Sequence, residues 1–165
     1  MRGRALVVFA AAVGLTAACE SSTEAKLTYT ASMTGAQETP AVTTTASGSF
    51  SATLDQSTNI MTYTLSFTGL GTNASLAHIH GPAAVGVGPV GVLVNFDATA
   101  SGRTITLGAT SGTGSGTIDL SPSAVITATV NGDSLRKLFD LGLLYVNIHS
   151  VTNGGGEIRG QITKQ

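Results

Sequence analysis

The sequence predicts an all-β chain, a Greek-key β-sandwich or flattened barrel of about eight short strands with one short helix. Three observations carry this. Apolar and polar residues alternate with the period of two that a half-buried strand requires. Gly, Pro, Asn and Asp punctuate these runs at regular intervals. The composition is poor in charge: 10% of the 165 residues are charged, 21 are glycine and none is tryptophan. Such a balance suits a β-rich exported protein, not a helical bundle or a charged disordered chain. The length suits one domain of ordinary size.

The first element is a leader. Arg2 and Arg4 form a positive n-region, and Ala5 to Ala18 is an apolar stretch too short to span a bilayer comfortably. It runs into Leu15-Thr16-Ala17-Ala18-Cys19, with small residues before the sole cysteine. This pattern is similar to a bacterial lipoprotein signal, from which it departs at Thr16, where a branched apolar residue is usual. The expectation is a signal peptide over residues 1–18, lipidation of Cys19 and a tether over residues 19–25. The folded domain would then cover residues 26–165, held on the periplasmic or cell-surface side of the bacterial envelope. The alternative is a leftover thiol beside an ordinary cleavage site, since one cysteine closes no internal disulfide. Loss of Arg2 and Arg4 would leave six basic residues against nine acidic ones. That balance excludes a nucleic-acid footprint, which needs a basic patch to neutralise phosphates.

The mature chain reads as strands in sequence. Lys26 to Met33, Ala46 to Leu54 and Ile60 to Phe67 alternate cleanly. Asp55 to Asn59 reads as the hairpin between the last two. Leu76 to His80 is a further strand, Gly81 to Gly91 a long Gly-Pro loop, and Val92 to Phe96 a short apolar strand compatible with burial. Arg103 to Leu107 and Gly116 to Leu120 are weaker strands, joined by a Gly/Ser/Thr run read as a flexible hairpin. That run lacks the Lys-Ser/Thr ending and following helix of a phosphate loop. Asn131 to Ser134 offers N-cap chemistry, and Leu135, Leu138 and Phe139 follow at helical spacing, so Ser134 to Leu141 is the expected helix, ended by Gly142. Leu143 to Ser150 and Glu157 to Thr163 form a closing hairpin around Thr152 to Gly156.

The chemistry concentrates in two of these stretches. All three histidines lie in Ala77-His78-Ile79-His80-Gly81-Pro82 and Tyr145-Val146-Asn147-Ile148-His149. His78 and His80 are two apart, so on a strand they share one face. Tyr145, Asn147 and His149 share another, and Glu157 and Arg159 are expected to face out beside them. Should the two strands be neighbours, His78, His80 and His149 could close on one copper or zinc ion, with Glu157 as a fourth ligand. The plainer reading is that the histidines bond to loop carbonyls and that Glu157 pairs with Arg159 or Arg103. Tyr145, Asn147 and Arg159 are the candidate binding surface.

These residues carry a resemblance. AHIHGPA, GPVGVLVNF and LYVNIHSVTNGGGEIRGQI, with Gly35-Ala36-Gln37-Glu38-Thr39-Pro40 upstream, resemble the CHRD domain, the module named after chordin and widespread in bacterial secreted proteins. The resemblance runs from about Lys26 to Thr163 and implies the fold. Copper/zinc superoxide dismutase also places a His-x-His strand on a Greek-key barrel, but three histidines cannot supply its two metals. A hydrolase reading is weaker still: Ser75, Ser150 and Asp97 are the available groups, with no nucleophile elbow. The leading expectation is therefore a binding or structural module contacting an envelope protein or polysaccharide, with the metal site as the alternative.

Overall fold

The computed structural model describes residues 26–97 and 99–165. The leader, Cys19 and the tether lie outside the described residues. Strands β1 (Leu27–Thr34), β2 (Ser47–Asp55) and β3 (Ile60–Thr68) form an antiparallel meander. Their alternation is what buries Tyr29, Ala31 and Met33, then Phe50, Ala52 and Leu54, then Met61, Tyr63, Leu65 and Phe67. The opposite face carries hydroxyls in register, such as Thr30, Ser51 and Thr64 across the three strands. The β2–β3 turn closes because Asp55 Oδ1 accepts from the Ser57 amide at 2.9 Å and Asn59 takes a left-handed φ of 58°.

The remaining strands are β4 (Ala74–His80), β5 (Val92–Asn95), β6 (Thr104–Ile105), β7 (Gly112–Asp119), β8 (Tyr145–Ser150), β9 (Ile158–Gln161) and β10 (Thr163–Lys164). They join the meander in one sheet of order β5-β4-β8-β9-β1-β2-β3-β7-β6, with β10 on β1. The all-β prediction holds, as a single sheet curled into a half-barrel. The curl is visible in the core. Phe96, just past the edge strand β5, packs on Tyr63 and Phe50 of the central strands at centroid distances of 4.9 and 6.2 Å. Arg103 reaches across the same gap, donating to the carbonyls of Asn95 and Thr117.

The expected helix is present as α1 (Gly132–Asp140). It starts two residues earlier than its apolar spacing suggests, because Asn131 is the cap: its Oδ1 accepts the Ser134 amide at 2.9 Å. Leu135 and Phe139 are fully buried, and Phe139 packs on Tyr29 at 5.3 Å. Gly142, with a φ of 65°, turns the chain out of the helix.

Two sequence expectations need correction. Val92 to Phe96 is not buried on both faces: β5 is an edge strand, with Val94 and Phe96 inside and Val92 45% exposed. The Gly/Ser/Thr run before Gly116 is not a flexible hairpin but the first half of β7, paired with β3 from Gly112 to Asp119. Its glycines are a packing requirement. A Cβ on Gly114 would lie 2.8 Å from the Thr104 carbonyl oxygen and 3.1 Å from Leu65 Cγ. Gly114→Val is therefore expected to cost about 1–3 kcal/mol through overpacking. Urea unfolding checks this, and an unchanged midpoint would refute it.

Candidate metal centre

Strand pairing builds the site. β4 lies against β8, and β8 against β9. His78 faces Asn147, which faces Arg159; His80 faces Tyr145, which faces Gln161. His149 sits opposite Leu76, one step along the same face. This register brings the three imidazoles together. Ring centroids are 4.9 Å apart for His78 and His149, 5.4 Å for His78 and His80, and 5.9 Å for His80 and His149. Each ring offers one nitrogen such that all three lie within 4.8 Å of one another.

Two loops fix the ring orientations. His80 Nδ1 is 2.8 Å from the Val90 carbonyl oxygen, and His149 Nδ1 is 3.0 Å from that of Gly154. A carbonyl only accepts, so both Nδ1 atoms carry the proton and both Nε2 atoms are bare lone pairs. The Nδ1–H of His78 then donates to His149 Nε2 at 3.1 Å. His80 Nε2 is buried and has no hydrogen-bond partner. An orphaned imidazole lone pair beside two further imidazoles is the arrangement a metal ion would satisfy. The carbonyl bonds are what the plainer reading expected, and they coexist with convergence because each leaves the Nε2 of its ring unprotonated and turned to the cluster.

The cluster is held neutral. Burial, followed by the neighbouring His149 and His80, pushes the His78 pKa down to about 4. Burial also lowers His80 and His149, against the upward pull of their carbonyl partners. The sign of the consequence is fixed by linkage. Below the ordinary histidine value of about 6.5 the unfolded chain takes a proton that folded His78 refuses, so metal-free stability falls with pH down to about 4. The His78 share is about 3 kcal/mol over that window. Comparing urea unfolding of wild type and His78→Asn at pH 7.5 and 4.5 isolates it, and equal pH slopes would contradict it.

A second layer braces the imidazoles. Tyr145 stacks on His80 at 5.0 Å with an interplanar angle of 8°. Arg159 Cζ lies 3.5 Å from the Tyr145 ring centroid, and its Nη2 donates to the Val87 carbonyl at 2.7 Å. Asn147 Nδ2 donates to Glu38 Oε1 at 2.6 Å. Burial pushes the Glu38 pKa up to about 7, against the opposing effects of Arg159 and Asn147. Tyr145, Asn147 and Arg159, expected as an outward binding surface, are thus each at most 3% exposed. The Gly81 to Gly91 loop supplies the Val87 and Val90 carbonyls, and alternation alone could not reveal that cover. Glu38 was also missed as a site residue; its only signal is its place in the upstream Gly-Ala-Gln-Glu-Thr-Pro run.

Glu157 is not a fourth ligand. Its carboxylate is 1% exposed and turned to other loops, with Oε1 accepting from Thr44 Oγ1 and from the Gly71 amide, both at 2.8 Å. Nor is it paired with Arg159 or Arg103. Strict alternation fails here because Gly156 takes a φ of 130° immediately before it, and a side chain on Gly156 would collide with Asn147 and Glu38. Ser150 faces away from the histidines as well, its Oγ accepting from the Asn153 amide.

No curated protein and no solved structure matches the chain. The family model of the CHRD domain matches residues 29–162, which takes in the meander, both histidine strands and the closing hairpin. The chain belongs to the CHRD domain family.

Proposed function

We propose that this protein is an exported binding or structural module of the bacterial cell envelope, anchored through lipidated Cys19, whose particular chemistry is a mononuclear copper or zinc site on His78, His80 and His149. Membership of the CHRD family supports the module. The observation that carries the metal reading is the convergence of three buried imidazoles, two with Nδ1 pinned by backbone carbonyls and one Nε2 left without a partner. Neutral imidazole is a good ligand for both metals. The ligands come from two hydrogen-bonded strands, so the site is preorganised and needs no loop to close on the ion.

Calorimetric titration of the full chain with copper and zinc tests the reading. One ion per chain is the expected stoichiometry, and no binding of either metal would leave the histidines purely architectural. The anchor is tested separately. No helix among the described residues is long and apolar enough to cross a membrane, and acyl chains on Cys19 would hold this domain at a bilayer without a span. Cys19→Ala is expected to move the protein from the membrane to the soluble fraction on fractionation. Retention in the membrane fraction would count against lipidation.

A further inference from the structure

We propose that the three-histidine centre is a copper(I) site that discriminates against zinc(II) and copper(II); this rests on the metal reading above and specifies its ion. Three features of the site bear on the choice.

The first is coordination number. Among the histidine, cysteine, aspartate and glutamate side chains of the described residues, the ligand cluster holds three imidazoles and neither a carboxylate nor a thiolate. Neither nearby glutamate joins it. Glu157 Oε1 accepts from Thr44 and Gly71, and Glu38 Oε1 accepts from Asn147. Asp97 is near enough to His78 to act on it through its charge, without joining the cluster. On three histidines zinc(II) needs a water to complete its four ligands and copper(II) takes a tetragonal set, whereas copper(I) is satisfied by three.

The second is access. His78, His80 and His149 are 7, 8 and 7% exposed, so water reaches the site poorly as a fourth ligand. Tyr145 covers His80 on one side.

The third is charge. All three ligands are neutral, and a fixed cation that acts on His80, Arg159, packs on the Tyr145 ring that stacks on His80. Nothing in the ligand set cancels the ion's charge. The desolvation penalty of an ion rises with the square of its charge, and Asp97, acting on His78 from outside the ligand set, offsets at most one unit of it, so a monocation is cheaper to bury here than a dication.

The test is anaerobic competition of the full chain against a colorimetric copper(I) chelator, beside zinc(II) and copper(II) titrations, with X-ray absorption on the copper-loaded protein. Copper(I) is expected to bind about a hundredfold more tightly than zinc(II), with three nitrogen scatterers. Zinc(II) or copper(II) binding as tightly as copper(I), or a four-coordinate copper(I) spectrum, overturns the inference and leaves the metal reading standing. Absence of all metal binding overturns both. Arg159 is a positioning residue in this scheme. Arg159→Gln is expected to reduce the copper(I)-to-zinc(II) preference about tenfold, while Arg159→Lys keeps it. A purely structural role for Arg159 would weaken all three ions alike.

Discussion

On the proposed metal reading, His78→Ala combined with His80→Ala is expected to abolish stoichiometric copper and zinc binding and to remove any stabilisation that either metal confers on the wild type. Two of the three nitrogens that lie within 4.8 Å of one another disappear, and a single imidazole does not hold an ion. The effect on stability follows from linkage. An ion that binds only the folded chain stabilises it by about 4 kcal/mol when its free concentration is about a thousand times Kd. A thermal melt with and without metal therefore shows a large shift in wild type and none in the variant. His149→Ala separates ligand loss from packing. It leaves His78 and His80 on one strand and so retains weak binding, with the melt shift reduced but present. A double variant that keeps the full melt shift would place the ion elsewhere.

The amount of this site that was legible in the sequence follows from the range of each interaction. The shared face of His78 and His80 is a property of one strand, and the period of two fixes it. Tyr145, Asn147 and His149 are fixed in the same way. The adjacency of β4 and β8 is not local: about seventy residues separate His78 from His149, and no pattern rule decides which strands pair across such a distance. What alternation could not supply was the cover. Val90 and Gly154 contribute carbonyls, groups that every residue has, so no side-chain signal marks them. The same limit explains the buried condition of Tyr145, Asn147 and Arg159, which face away from the core yet lie under the Gly81 to Gly91 loop and the loop bearing Glu38. β7 was misread for a related reason. Glycine at 112, 114 and 116 weakens local strand propensity, but pairing with β3 and close approach by Thr106, Thr104 and Arg103 override it.

Glu157 is where pattern reading failed most fully, and it carries the largest expected loss of stability. Glu157→Ala is expected to lower the unfolding free energy by about 2–5 kcal/mol, because the part-buried hydrogen bonds from the Gly71 amide and the Thr44 hydroxyl lose their charged acceptor. Against a typical total of about 5–15 kcal/mol that is a large fraction. The carboxylate ties three distant segments: Thr44 before β2, Gly71 between β3 and β4, and the start of β9. It also anchors the chain three residues past Gly154, whose carbonyl orients His149. Burial alone would raise its pKa; hydrogen bonds from Ser150, Gly71 and Thr44 outweigh that and hold it below the ordinary carboxylate value. A depressed folded pKa gives stability that is complete above the unfolded value of about 4.3 and is lost as pH falls through the folded one. Glu157→Gln keeps the shape and one acceptor oxygen but not the charge, so it is expected to be less damaging at pH 7 and to flatten the acid limb of the stability curve. Urea unfolding of wild type and both variants between pH 7 and 3 reads all three outcomes. Equal midpoints for wild type and Glu157→Ala at pH 7 would show that the three segments hold together without the carboxylate.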